Sequence, residues 1–177
     1  MPLRKPLSTL VEARASDLPL IDRWLIQRDI CRWWGSPVYT QSEMRLGLFC
    51  HGDIGRVFII HDMKKRPLGL VSVINVAAIA GSPIAWPSFL PKRAWEISIL
   101  IARKGDRRRG IGTSSLHQAH KITCKDSVDP VFAWIEKDNK ASLATFGKLG
   151  YLRAYEEETK TCSFALLQFD EHRSREN

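Results

Sequence analysis

Short apolar runs along this chain alternate with polar, Gly- and Pro-bearing turns, and two periods can be read from them. Thr9-Leu10-Val11-Glu12-Ala13-Arg14 alternates with period two and predicts a first strand. Ser16-Asp17 then offers a helix N-cap and Pro19 suits a first turn, while Leu18, Ile21, Trp24 and Leu25 recur at helical spacing. One helix is expected up to the break at Gly35-Ser36-Pro37, followed by a second short helix over 41–49. The apolar runs 57–60 and 68–74 flank the polar turn 62–67 and predict a hairpin. Residues 80–93, with Pro83, Pro87 and Pro91, read as a loop bordering a cleft. The strand 95–101, a helix-like run over 113–120 and the strand 131–135 come next. A helix from Asn139 to Leu149, ended by Gly150, precedes two closing strands near 151–156 and 161–169, joined by the acidic turn Glu156-Glu157-Glu158.

The order βαα-ββ-β-α-β-α-ββ predicts one α/β domain, a mixed central sheet of about six or seven strands flanked by about four helices. Residues 1–170 form that domain, and 171–177 form a charged tail expected to fray. At 177 residues, a single domain buries roughly 70% of the surface its unfolded chain exposes. The 44% hydrophobic and 26% charged content suits a soluble globular protein and separates it from disordered chains.

The basic start Met1-Pro2-Leu3-Arg4-Lys5-Pro6 is not followed by an apolar signal region, and no run approaches the ~20 apolar residues of a membrane helix, so no membrane partner is expected. Cys31, Cys50, Cys124 and Cys162 are scattered without a C-x-x-C pair, which reads as reduced thiols in a cytoplasmic protein, with neither a zinc site nor a disulfide framework. His117 and His120 lie three apart on one predicted helix face but lack an evident third ligand, so they read as surface histidines and no metal is expected. The net charge of +8 is spread along the chain apart from 103–109, and no nucleic-acid recognition motif accompanies it. Such a field suits a ligand with several phosphates.

The candidate for that ligand is Asp106-Arg107-Arg108-Arg109-Gly110-Ile111-Gly112-Thr113, set between an apolar strand and a helix. Glycines there let the backbone approach an anion, and a helix N-terminus adds unsatisfied N–H groups and partial positive charge. No Lys-Ser/Thr follows the glycines, which excludes a Walker loop, and the three-glycine dinucleotide fingerprint is also absent.

Residues 107–112 match Gln/Arg-x-x-Gly-x-Gly/Ala, and Asn139, Ser142, Phe146, Gly150 and Tyr151 follow the spacing of Asn-x-x-Ala-x-x-x-Tyr-x-x-x-Gly-Phe. On these two motifs the chain resembles the GNAT superfamily of N-acetyltransferases. Trp24-Leu25, Ile30 and Trp33-Trp34-Gly35 are similar to a segment of aminoglycoside 6′-N-acetyltransferases, and siderophore and ribosomal-protein N-terminal acetyltransferases carry similar stretches.

The resemblance implies acetyl-CoA as cosubstrate and a small-molecule amine, or a protein N-terminus, as acceptor; a homodimer is compatible with it. It implies pyrophosphate binding by Arg107, Arg108, Arg109, Gly110, Ile111, Gly112 and Thr113, and strand-like pairing of the pantetheine arm with the backbone of Ile99, Leu100 and Ile101. Asn139, Ser142 and Phe146 complete the implied cofactor contacts, and a backbone N–H near Leu100 or Ile101 is implied as oxyanion donor. Glu96 stands fourteen residues before Gly110, where several such enzymes place a carboxylate base, and alternation puts it on one face with Ser98 and Leu100. Trp33 and Trp34 are the candidate acceptor contacts; their alternative role is to pin a helix end. Phe146 stands where many family members have Tyr, and a phenyl ring has no proton to give a departing thiolate. The third possibility is therefore a catalytically weak acyl-CoA-binding protein.

Overall fold

A computed structural model describes residues 7–34, 55–75, 94–124, 129–158 and 163–169. The helix expected over 41–49, the loop over 80–93 and the break at Gly35 lie outside these residues. The strands are β1 (Thr9–Glu12), β2 (Gly55–His61), β3 (Pro67–Asn75), β4 (Trp95–Ile101), β5 (Val131–Glu136), β6 (Tyr151–Glu158) and β7 (Ser163–Phe169). The helices are α1 (Leu18–Leu25), α2 (Arg28–Trp34), α3 (Ile111–Cys124) and α4 (Lys140–Gly147). The strands form one seven-stranded mixed sheet in the order β1-β2-β3-β4-β5-β7-β6, parallel at β4–β5 and antiparallel elsewhere.

Alternation sorts the side chains of the sheet onto two helical layers. Phe58, Ile60, Val71, Val73, Ile97, Val131, Ala133 and Ile135 pack with Ile111, Leu116 and Ala119 of α3 and Phe146 of α4. Val57, Ile59, Leu70, Ile74 and Leu100 pack on the other face with Ile21, Trp24 and Leu25 of α1 and Ile30 of α2. Trp24 is thus a core residue, 7% exposed.

The single helix expected from Asp17 to Gly35 is two helices, interrupted at Ile26-Gln27 with neither Gly nor Pro present. Nine residues of helical rotation place Ile30 about 180° from Ile21, so one continuous helix would point Ile30 away from the core. The break re-phases the chain: the Gln27 carbonyl accepts from the N–H groups of Ile30 and Cys31, and Ile30 is 4% exposed in the same cluster as Ile21. Burying such a side chain contributes about 1.5–3 kcal/mol, enough to offset one or two lost helical bonds at about 0.5–1.5 kcal/mol each.

The β2–β3 turn is built by Asp62. Its carboxylate accepts from the N–H groups of Lys64 and Arg66 at 2.9 Å each and from Arg66 Nε at 3.1 Å, while Lys65 takes a left-handed φ of 61°. These bonds, led by the Arg66 N–H, hold the Asp62 carboxyl below its ordinary range.

Candidate cofactor-binding and active site

β4 pairs with β3 over its full length, from Trp95↔Asn75 to Ile101↔Gly69. With β5 it pairs only at Trp95↔Val131 and Glu96↔Phe132, so the sheet splits beyond Glu96. Trp95 N–H bonds the Pro130 carbonyl on the β5 side, and Ala102 N–H bonds the Leu68 carbonyl on the β3 side. By the antiparallel alternation, Glu96, Ser98 and Leu100 spend their backbone groups on β3, and Ile97, Ile99 and Ile101 turn theirs the other way; the Ile97 N–H closes the Glu96↔Phe132 bridge to β5, so the open groups begin at the Ile97 carbonyl. A strand-like ligand therefore meets Ile99 and Ile101 but not the backbone of Leu100, and an oxyanion donor from β4 must be the N–H of an odd-numbered residue. Leu100 reaches the site through its side chain.

A cavity of about 560 Å³ opens at the split. Its walls come from α2 (Asp29, Ile30, Trp33, Trp34), β4 (Ile99, Leu100, Ile101), the loop before α3 (Asp106, Arg107, Arg108, Gly110, with Gly112 and Thr113 of α3) and α4 with its flanks (Asn139, Ala141, Ser142, Ala144, Thr145, Lys148). Twelve of the residues singled out in the sequence thus meet around one space. Ile111 and Phe146 do not line it: they are 6% and 2% exposed in the core, and the Phe146 ring stands edge-on to Tyr151 at 4.9 Å. Arg109 and Glu96 also lie outside the lining residues.

The loop presents an anion-binding surface. Ser114 N–H bonds the Gly110 carbonyl, so Gly110 caps α3 and the N–H groups of Ile111, Gly112 and Thr113 have no acceptor within the helix. Gly110 has φ +78° and Arg108 φ +59°; this curls the loop backbone around the helix end. The two glycines differ in role. A Cβ at Gly110 would strain the backbone and press Leu7 at 3.1 Å, whereas one at Gly112 would make ordinary contact with Thr145 and Ile99, both cavity residues.

The loop is anchored from outside the motif. Asp106, 5% exposed, accepts a two-pronged bond from Arg66 of the β2–β3 turn, 2.9 Å on each side, and a 3.3 Å contact from Arg109. Arg66, opposed by desolvation and helped by Arg109 and Arg103, holds the Asp106 carboxyl below its usual range. Arg107 is turned inward, with Nε on the Ile101 carbonyl at 3.0 Å and a terminal nitrogen 2.8 Å from Asp29. Of the basic residues lining the cavity, Arg108 and Lys148 make no ion pair among the described residues.

Asn139 caps α4, its side chain accepting from Ser142 N–H at 3.1 Å, while also lining the cavity. Trp33 and Trp34 both line the cavity, but Arg32 already covers one face of Trp33 at 4.6 Å. Trp34 packs partly against the α1–α2 core. Glu96 stands at the apex of the split and accepts from Ser98 Oγ at 3.4 Å. Strand geometry puts it about 10 Å from Ile99. His120 is half-buried, its Nδ1 3.5 Å from the Tyr151 hydroxyl, which departs from the expected surface histidine; His117 is exposed.

The sequence matches the profile of the acetyltransferase (GNAT) domain over residues 8–152. The chain belongs to the GNAT acetyltransferase family. A comparison with curated protein sequences gives no significant match. Solved structures share the GNAT fold across nearly the whole chain. An aminoglycoside acetyltransferase, AAC(6′)-Ib, in complex with paromomycin and acetyl-CoA, has a TM-score of 0.75 at 19% identity, covering 96% of each chain. An aminoglycoside N(6′)-acetyltransferase from Legionella pneumophila has a TM-score of 0.73 at 13% identity, covering 99% of each chain. Spermidine N-acetyltransferase from Vibrio cholerae, in complex with CoA and spermine, has a TM-score of 0.68 at 16% identity, covering 92% of this chain and 95% of that one. At these identities the likeness is one of fold. As a GNAT N-acetyltransferase, the chain departs from its family pattern at Phe146.

Ala141, Ala144, Thr145 and Lys148 were not named as site residues from the sequence, and Asp29, Ile30 and Asp106, which lie in or beside the segments quoted there, were given no cofactor role. Thr145 and Lys148 follow Ala141 at helical spacing, so the α4 face was the available signal. Ile30 belongs to the Trp24–Gly35 segment quoted above and Asp29 adjoins it, but their direction is set by the break in front of α2, which periodicity does not show.

Proposed function

We propose that this protein transfers the acetyl group of acetyl-CoA to a primary amine of a small molecule by direct attack in a ternary complex. The observation that carries the reading is the split beyond Glu96, which opens the β4 edge onto the same cavity as the α3 N-terminus. The N–H groups of Gly112 and Thr113, with Arg108 and Lys148, supply donors and charge for a pyrophosphate. The edge groups of Ile99 and the N–H of Ile101 suit the amides of a pantetheine arm, and Asn139 lines the same cavity at the start of α4. Bound there, acetyl-CoA supplies an acetyl group on a thioester.

Glu96 is the proposed base. Its separation from Ile99 suits proton removal through an intervening water better than direct contact. The N–H of Ile99, on the open edge, is the proposed oxyanion donor; such a donor is worth about 2.7–4 kcal/mol in a dry site. The paromomycin and spermine of the structural neighbours make amines of sugar or polyamine type the first acceptors to try. The described carboxylates of the cavity, Asp29 and Asp106, are both ion-paired, so neither offers a free charge to a polycation. A protein N-terminus remains the other acceptor class implied by the N-terminal segment. A catalytically weak acyl-CoA-binding role is favoured by one observation, the buried Phe146 in place of a proton-donating Tyr.

Thiol release from acetyl-CoA should be followed against aminoglycosides, hydroxylamine-bearing lysine derivatives, polyamines and short peptides, with a no-acceptor control. Turnover with one class is expected and names the acceptor. Tight acetyl-CoA binding without turnover in any class would replace the transferase reading by the binding-protein one. In the active class, Glu96→Gln should lower kcat about 10²–10⁴-fold and remove the acidic limb of the pH–rate profile; an unaltered profile would take Glu96 out of the mechanism.

A further inference from the structure

The three successive arginines of the loop have different surroundings. Arg109 is 3.3 Å from Asp106, and Arg108 makes no ion pair among the described residues. Arg107 points into the protein: Nε donates to the Ile101 carbonyl at 3.0 Å, and a terminal nitrogen lies 3.4 Å from the Ala102 carbonyl and 2.8 Å from Asp29 Oδ2. A single planar guanidinium therefore touches the end of β4 and the helix that carries Trp33 and Trp34.

We infer that Arg107 is a positioning strut and not a phosphate ligand, and that Asp29 is its counterpart on α2. The proposal rests on reading the cavity as the acetyl-CoA site. The Ile101 carbonyl is the last on the open edge of β4, and Arg107 occupies it. The ladder left to a strand-like ligand then ends at the Ile101 N–H, which limits how far along β4 the ligand can sit. The pair with Asp29 holds α2 against that same point, so the distance between cofactor edge and indole wall is set by one residue. Asp29 Oδ2 has no exposed surface, and the pair is close but off the ideal hydrogen-bond direction. Burial pushes the Asp29 carboxyl up, yet Arg107, the local backbone and Lys104 outweigh it and keep the carboxyl below its ordinary range. To reach a phosphate, Arg107 would have to abandon all three partners and leave the half-buried Asp29 carboxylate, with its covered Oδ2, without its counter-charge.

Strut and ligand predict opposite signs. Acetyl-CoA affinity should be measured by calorimetry, with Tm as a control, for wild type, Asp29→Asn, Arg107→Lys, Arg107→Gln and Asp29→Asn with Arg107→Gln. A strut predicts that Asp29→Asn weakens binding about tenfold, although it removes a negative charge from a site for a polyanion. It also predicts that Arg107→Lys loses as much as Arg107→Gln, because an ammonium cannot make the planar contacts, and that the double variant is no worse than Arg107→Gln alone. The salt dependence of binding should be the same in Arg107→Gln as in wild type, since no phosphate contact is lost. Tighter binding by Asp29→Asn, wild-type affinity in Arg107→Lys, or a flattened salt dependence in Arg107→Gln would each overturn the strut. If Asp29→Asn does not fold, the two Arg107 variants and the salt dependence decide. Failure of the wild type itself to bind acetyl-CoA would overturn the cofactor reading instead.

Discussion

Gly110 and Gly112 look interchangeable in the motif, yet their surroundings give them different duties. Gly110 serves the backbone, at φ +78°, with Leu7 where a side chain would go. Gly112 serves the cavity, with Thr145 and Ile99 across from it. Gly112→Val should therefore weaken acetyl-CoA binding at least about tenfold while moving Tm little, because the added methyls enter the space of the ligand. Gly110→Val should cost about 1–3 kcal/mol of stability through forced left-handed backbone, visible as a lower urea midpoint. Equal behaviour of the two variants in both measurements would refute this division. Phe146 is a similar lesson: spacing put it at the position of a family Tyr, but its ring belongs to the core.

Between elements, the decisive contacts link segments distant in sequence. The β2–β3 turn reaches the cofactor loop through Arg66 and Asp106, forty residues apart, and the residue before β1, Ser8, reaches Ser115 of α3, their hydroxyls 2.9 Å apart and buried. The turn is thus part of the support of the site. Asp106→Asn should lower Tm by roughly 3–6 °C and weaken acetyl-CoA binding, even though residue 106 precedes the glycine motif. Calorimetry and thermal denaturation test this together; a loss of stability with unchanged affinity would mean that the loop holds its shape without the anchor. The re-phased α1–α2 pair makes the same point, since the cavity takes Asp29, Trp33 and Trp34 from a helix that exists only because Ile30 is drawn into the core.

In the whole molecule, α3 lies across the face opposite α1 and α2, and its half-buried His120 couples folding to pH. Burial, and to a lesser degree His117, push the His120 imidazole down to about 4. Unfolded, it takes up a proton below about pH 6.5; folded, it stays neutral until about pH 4. Stability is unaffected by this group above pH 6.5 and falls between 6.5 and 4, by up to about tenfold in the folding equilibrium per pH unit. His117 is shifted the same way by burial and Lys121, so part of the slope will survive in His120→Gln. Denaturant midpoints at pH 7, 5.5 and 4.5 should fall less steeply in that variant than in wild type, and parallel curves would show that His120 does not carry the effect. Asp106 and Asp62, held low by Arg66, add their loss only below the ordinary carboxylate range. Among the described residues, no helix is long and apolar enough to cross a membrane.

Local chemistry was enough to find the strands, the hairpin, both α3 and α4, and the glycine loop, because hydrophobic period and turn residues act over a few neighbours. It also named most of the residues that ring the cavity. Three matters were settled only by packing. The α1–α2 break follows from the burial of Ile30, the anchoring of Arg107 and Asp106 from partners far along the chain, and the side of β4 that is open from its register with β3. The split at Glu96 joins these, since a strand cannot record where its neighbour departs. Periodicity tells which face a side chain takes; the partners supplied by the tertiary structure decide which backbone groups and which charges are left for a ligand.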